Sequence, residues 1–407
     1  MNQMAPTPSV PDHVPAQLVR EFRMEALPGV AQDAVQAAVD AARGMPDIFF
    51  GLGSRRGQGT WVLTRHELQR EVLQDGATFS SRHNADFSML IGEDWPLLPL
   101  EVDGADHLVW RKLLNPIFAP AQMMKLEAQI EELAADLVER LAPRGQADFM
   151  REFAEVFPVQ IFLRMFGLPL EHTARFVEWE ASLIHSPDIA GRQYGARAIV
   201  GYLREVIVAR QAAPADDLIS YIVQARADSR PLTPDEMLGI CFLLYSAGLD
   251  TVANMLGYMF KYLAAHPEEQ RRLRTDPVLI PNAVEEMLRA YPIIVSGRLV
   301  TRDIDFHGVT MKAGDVVTVA TMFAGRDGQE FPDPDRIDFD REKVNHITFA
   351  AGPHRCIGSH LARRELRIAL EAWLTRVPEF RIAEGKQAVT SAIGVFAVDS
   401  LPLAWGD

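Results

Sequence analysis

One stretch, from Thr233 to His266, limits the fold more than any other part of this chain. It opens on T-P-D-E, which supplies a capping hydroxyl, a proline at the first helical position and, in Glu236, the partner that closes a capping box. Pro267 stops it, so the pattern predicts one helix of roughly 50 Å. From Met237 to Phe260 that helix is apolar nearly all round. A helix without a polar face lies inside a protein, so the rest of the chain must fold around it.

The remainder is suited to that task. Of 407 residues 48% are apolar and 24% charged, which excludes disorder and allows a large packed core. Gly (27) and Pro (26) are near ordinary usage, which excludes collagen-like and low-complexity chains. The net charge of −14 argues against nucleic acid as a partner. The first residues, M-N-Q-M-A-P-T-P-S-V-P, lack the apolar run of a signal peptide, and no stretch is expected to serve as a membrane anchor. Two cysteines, Cys241 and Cys356, supply neither a disulfide framework nor a four-cysteine zinc site. A cytoplasmic protein is expected.

Helical spacing dominates elsewhere. Pro120 to Leu141 reads as an amphipathic helix, and another is expected from about Ile357 to Thr375. Strand-like pieces are short: Gly59 to Thr64, Arg298 to Val300, Asp305 to Phe306, Val316 to Ala320 and Val395 to Leu403. No Pro/Ser-rich linker separates two halves, so a single domain over 1–407 is expected, with a flexible segment over about residues 1–20.

The run F-A-A-G-P-H-R-C-I-G-S-H-L-A-R-R-E-L, Phe349 to Leu366, places Cys356 after a Gly-Pro turn and at a helix N-terminus, where free N–H groups favour a thiolate. Three roles are open to it: a small buried apolar residue, a nucleophile with His354 as base, or the single thiolate ligand of a haem iron. The combination F-x-x-G-x-H-x-C-x-G resembles the haem-binding signature of the cytochrome P-450 monooxygenases, and most of the chain is similar to the bacterial camphor 5-monooxygenase group.

That resemblance implies a mainly α fold with small β-sheets, and haem b between the long helix and the helix after Cys356. Cys356 is then the axial ligand, Phe349 shields its sulfur, Gly352 lets the loop turn and Gly358 lets the helix approach the porphyrin. His107 and Arg111 from H-L-V-W-R, Arg298 and His354 are implied around the haem, with donors for its propionates. One departure is visible: Ser296 stands where the camphor enzyme has an aspartate.

Asp250 and Thr251, in A-G-L-D-T, have a local reading as a kink in the long helix and, by resemblance, a role in proton delivery to bound dioxygen. Glu286 and Arg289 are spaced i,i+3, with Glu285 i,i+4 from the same arginine; the resemblance selects Glu286 and Arg289, joined by Arg336, as a buried structural group.

The implied reaction inserts one atom of O2 into a C–H bond. Electrons come from NAD(P)H through a reductase and an iron-sulfur ferredoxin that docks on the basic proximal residues Arg111, Lys112, Arg363 and Arg364 of a monomer. The implied substrate residues are Trp95, Leu97, Leu100, Leu243, Ser246, Ile294, Val295 and Val395, mostly aliphatic. They suit a small cyclic monoterpenoid, camphor- or cineole-like, or else a norisoprenoid or other hydrophobic compound. Trp95 replaces a tyrosine, so its indole is either an N–H donor to a substrate oxygen or plain packing. A haem-thiolate sensor is the alternative class; it needs no proton relay, and Asp250 and Thr251 speak against it.

Overall fold

Thr233 caps the central helix as its sequence predicts. Its hydroxyl accepts from the Glu236 N–H at 3.2 Å, and the Glu236 carboxylate accepts from the Thr233 N–H at 2.8 Å. The structure, a computed structural model, describes residues 10–22, 24, 33–55, 58–82, 85, 87–393 and 395–406. It is mainly helical, with 53% helix and 15% strand. By length and mean hydropathy the Pro234–Ala265 helix would cross a membrane, yet 72% of its most apolar stretch is buried inside the protein.

The one long helix expected there, with a kink at A-G-L-D-T, goes further than a kink and is two helices, Pro234–Gly248 and Asp250–Ala265, meeting at Leu249. The A-G-L-D-T run explains the break. Gly248 weakens the helix locally, and the Thr251 hydroxyl donates to the Ala247 carbonyl at 2.9 Å, competing for an acceptor of the backbone ladder.

The chain forms two compact units, each assembled from three separated stretches. The first comprises Met1–Asn84, Glu285–Cys356 and Thr390–Ala397. Its six-stranded sheet runs in the order Val19–Glu21, Ile48–Arg55, Gln58–Leu63, Val316–Ala320, Val295–Val300, Phe79–Ser80. Val317 lies opposite Trp61 in the parallel pair and opposite Arg298 in the antiparallel one. Alternate residues of these strands, among them Trp61, Leu63, Val317 and Val319, are buried in one core, as the period-2 rule requires. The Ile48–Arg55 strand was not expected: its F-F-G-L-G run shows no clean alternation. Of the N-terminal segment, residues 1–9 lie outside the described residues; Val14 is buried, and Val19–Glu21 pairs in parallel with Phe50–Leu52.

The second unit comprises Ala85–Val284, Ile357–Val389 and Val398–Asp407. It holds the central helix, the helices Pro120–Leu141, Thr173–His185 and Ile189–Ala212, and the helix Ser359–Arg376 that follows the cysteine loop. Glu127 on the first of these accepts from both Arg364 and Arg367 on the last. The Phe149, Phe260 and Trp373 rings stack or meet edge-on with centroids 4.0–5.5 Å apart. At Gly257 a Cβ would lie 2.7 Å from the Met150 sulfur and 2.9 Å from Val398 Cβ, so only glycine permits this packing of the central helix. The expected strand Val395 to Leu403 forms as Val395–Ser400 and Pro402–Trp405, separated at Leu401.

Candidate active site

In the first unit the cysteine loop is shaped by its glycine. Gly352 has φ +68°, and a Cβ there would stand 2.4 Å from the Leu73 carbonyl oxygen and 2.8 Å from Gln74 Cα. Any side chain is excluded on both counts. The loop closes through the backbone: the Cys356 N–H donates to the Phe349 carbonyl at 2.8 Å, and the Arg355 N–H to Gly352 at 3.2 Å. Cys356 is exposed. Gly358, two residues on, is the N-cap of Ser359–Arg376, and its carbonyl accepts from the Ala362 N–H at 2.9 Å. Phe349 meets the His346 ring at 5.9 Å between centroids, and Glu285 holds His346 at 3.1 Å. Arg298 is buried on its strand, its guanidinium donating to the Gly297 carbonyl at 2.7 Å. Ile294 and Val295 are half-buried, and the Phe396 N–H donates to the Ile293 carbonyl at 3.0 Å, which brings half-buried Val395 beside them.

The same unit settles which carboxylate is buried with Arg289. Glu286 and Arg289 are both fully buried and joined by two bonds, 2.7 and 2.8 Å, while Glu285 turns to His346. The third arginine differs from expectation. The Arg336 side chain is largely exposed, 70%, and only its carbonyl reaches Arg289, at 3.0 Å. Arg341 takes the place assigned to it, donating to Glu286 at 3.0 and 3.1 Å. Arg336 stands on a bend after the tight turn at Asp333 (φ +47°) with its side chain directed to Asp338 at 3.7 Å, whereas the Arg341 side chain is withdrawn from solvent against Glu286.

In the second unit, Ala247 and Gly248 are exposed in the middle of an otherwise buried helix, and a Cβ on Gly248 would meet nothing within 4 Å. Next to this open face, Asp250 is nearly buried, with Oδ1 accepting from His185 Nε2 at 2.5 Å and from Asn254 Nδ2 at 2.9 Å. Burial opposes a charged imidazole at His185, but the hydrogen bond and charge of Asp250 prevail and hold its pKa above the ordinary value. Glu180, one and a half turns earlier on the same helix, is fully buried; desolvation, then the Asp250 charge, push its carboxyl well above the usual range. His107 and Arg111 share one face of the helix Gly104–Leu114, the first buried and the second half-buried.

His185, Asn254 and Glu180 were not found in the sequence. They sit in ordinary helical pattern, and no motif marks them. His185 gains its partner on folding, so the pair stabilises the fold fully below the ordinary histidine pKa and loses that contribution as pH rises through the raised folded value. The Tm difference between the native chain and His185→Gln is therefore expected to shrink as pH rises through that range. A pH-independent difference would contradict the ion pair.

Trp95 is placed differently from the donor role considered for it. Its indole N–H donates to Glu93 Oε2 at 2.6 Å, and Arg204 holds Glu93 by both oxygens, at 2.7 and 3.0 Å. Its ring packs on Phe242 of the central helix with centroids 5.0 Å apart. A Cβ on Gly239 would lie 1.9 Å from the Pro96 carbonyl, so helix and segment touch backbone to side. Leu97 is deep in that core, Ser246 is nearly buried, and Leu100 and Leu243 are half-buried against it.

A profile for Cytochrome P-450 matches residues 190–394. Among curated proteins, probable cytochrome P-450 127A1 of Sinorhizobium fredii is 40% identical over 98% of this chain and 97% of its own, and mycinamicin IV hydroxylase/epoxidase of Micromonospora griseorubida is 32% identical over 86% and 90%. The crystal structure of cytochrome P-450 CYP101C1 superposes with a TM-score of 0.88 at 35% identity, covering 98% of this chain and all of that one. That of CYP101J2 gives 0.87 at 34%, with the same coverage. The chain belongs to the cytochrome P-450 family.

The family binds haem b, and the residues present fit that group. None of the residues from Phe349 to Gly358 is buried, so the loop offers an open surface around one soft sulfur ligand. The exposed Ala247–Gly248 step leaves the central helix an open, side-chain-poor face of the kind a flat macrocycle requires.

Proposed function

We propose that this chain, acting as one P-450 domain over residues 1–407, oxidises a small cyclic monoterpenoid, camphor- or cineole-like, and that Cys356 is the residue that would hold its haem iron. The overall balance is substrate, O2, NAD(P)H and a proton giving the alcohol, water and NAD(P)+. The observation that carries the reading is the contrast between the two cysteines. Cys241 is fully buried on the central helix, and burial pushes its thiol far from ionisation, whereas Cys356 is exposed on the Phe349–Gly358 loop. Only Cys356 is suited to bind metal as a thiolate.

When bound, the haem supplies oxygen activation. The chain's own residues do the rest. The loop is closed by the Cys356 N–H, so its closure is a backbone bond that does not use the sulfur. His107, Arg111, Arg298 and His354 would supply positive charge and donors to the propionates. Thr251 carries a hydroxyl and Asp250 a carboxylate whose Oδ1 shares a proton with His185; together they are the proposed path for protons. Thr251→Ala is expected to keep haem and substrate binding but to lower product formed per NADH consumed, the remainder appearing as hydrogen peroxide. An unchanged ratio would leave the hydroxyl as a helix-breaking device only.

The substrate residues support the monoterpenoid in each unit taken separately. Ile294, Val295 and Val395 in one, Leu97, Leu100 and Leu243 in the other, are aliphatic, and Trp95 adds a ring whose donor is already engaged. Relatives named for mycinamicin IV and for vitamin D3 show how widely family members differ in substrate, so the choice rests on these side chains. Electrons are proposed to arrive from NAD(P)H through a reductase and an iron-sulfur ferredoxin, in the cytoplasm, to a monomer. The proposed docking cations are Arg111, Lys112, Arg363 and Arg364, the last of which also meets Glu127. A panel of hydrophobic ligands scored by the low-to-high-spin Soret shift tests the substrate. Strong shifts from fatty acids or steroids, with none from monoterpenoids, would overturn it and leave the enzyme class intact.

A further inference from the structure

The segment that carries Trp95 is tied to the helix Ile189–Ala212 by polar bonds that the proposed chemistry does not use. A short helix, Phe87–Leu90, ends in a turn at Gly92 (φ +76°), where the Glu93 N–H donates to the Ser88 carbonyl at 3.0 Å. That turn sets the direction of Glu93. Its Oε2 accepts from Trp95 Nε1 at 2.6 Å and from Arg204 at 2.7 Å, while Oε1 accepts from Arg204 at 3.0 Å. A second bond, from Gln193 Nε2 to the Leu90 carbonyl at 2.8 Å, fixes the other end of the segment to the same helix. Phe87 and Trp95 both pack on Phe242, with centroids 5.6 and 5.0 Å away, so the indole is held by its N–H and by a tilted ring contact.

We propose that Glu93 is a positioning residue that sets specificity: by taking the Trp95 indole N–H it turns Trp95 into an apolar wall, so substrates are chosen by hydrocarbon shape and not by an oxygen bonded at this position. The inference rests on Trp95 facing the substrate, as proposed above. An indole has one donor and no acceptor, and a charge-assisted bond to carboxylate is stronger than one to a ketone or ether. A substrate carbonyl cannot win that proton while the carboxylate stays. The carboxylate does stay, because the paired Arg204 guanidinium, with the Trp95 bond adding to it, holds the Glu93 carboxyl below the usual range. Arg204 and Glu93 are 49% and 30% exposed, so this outer contact contributes little stability by itself and its effect is on orientation.

The test compares two ligands of one skeleton, camphor and camphane, which differ in the carbonyl. Affinities are read from the Soret shift in the native protein and in Glu93→Ala, Glu93→Gln, Trp95→Phe and Glu93→Ala/Trp95→Phe. Glu93→Ala frees the donor and is expected to raise the preference for camphor about two- to tenfold, the worth of one net hydrogen bond. Glu93→Gln keeps an acceptor and should stay near the native preference. Trp95→Phe should leave the preference unchanged, and the double variant should return to it. An unchanged preference in Glu93→Ala, or a loss of camphor preference in Trp95→Phe, would overturn the proposal. A second measurement needs no substrate: the Trp95 indole N–H resonance, assigned by its loss in Trp95→Phe, is followed in the diamagnetic carbon monoxide complex of the reduced protein. It should be strongly downfield and slow to exchange, and should move upfield in Glu93→Gln; rapid exchange in the native protein would overturn the hold of Glu93. If neither ligand shifts the Soret band, the monoterpenoid reading fails while the indole resonance still decides for or against Glu93.

Discussion

Cys356→Ser is expected to abolish the red-shifted Soret band of the reduced carbon monoxide complex and to bring oxygenation down to background, while the helical content survives. The separation of the two effects follows from the loop. Its closure depends on the Cys356 N–H, which a serine retains, and on Gly352, whose φ of +68° and close approach to Leu73 are untouched. What changes is the one soft donor. A serine oxygen gives the iron far less electron density than a thiolate does. Cys241 offers no replacement, being fully buried with its thiol held neutral. Reduced carbon monoxide spectra and circular dichroism of the same sample read both effects. A thiolate-type band that persists in Cys356→Ser, with turnover intact, would refute the ligand assignment.

Arg289→Ala should have the largest effect on stability. The Arg289 guanidinium makes two bonds to Glu286 and three to the carbonyls of Gly325, Pro334 and Arg336, all at 2.6–3.0 Å and with no exposed side-chain surface. Its removal leaves the Glu286 carboxylate, among the described residues, with Arg341 and the Asp338 N–H, and takes a donor from the buried Gly325 carbonyl, while the Pro334 and Arg336 carbonyls keep Arg326 at 3.4 Å and Arg341 at 3.1 Å. Breaking a buried pair from one side costs about 3–5 kcal/mol, a large part of a typical margin of about 5–15 kcal/mol. Lysine is no remedy, since one ammonium cannot span the same acceptors. Arg336→Ala, which removes an exposed side chain and leaves the carbonyl in place, should change stability by no more than about 0.5 kcal/mol. Urea unfolding of the three proteins decides the matter: equal losses in the two variants, or a loss under about 1 kcal/mol in Arg289→Ala, would remove this group from its structural role.

The sequence by itself determined the parts whose causes lie within a few residues. The T-P-D-E cap, the helix Pro120–Leu141, the break in A-G-L-D-T and the Gly352 turn before Cys356 each rest on contacts three to five positions apart, or on one residue's own φ. Such bonds form whatever surrounds them, so composition and spacing are enough to find them. Partner choice among equivalent groups was decided only by the tertiary structure. Glu285 and Glu286 look alike in sequence, yet one meets His346 and the other Arg289. Arg341, not Arg336, reaches Glu286 across 55 positions, His185 meets Asp250 across 65, and Arg204 meets Glu93 across 111. A charged side chain carries no record of its partner, because a Coulombic contact depends on where packing brings two groups and how far it removes them from water. The donor of Trp95 was fixed in that way, by a carboxylate two residues before it and a helix more than a hundred residues after.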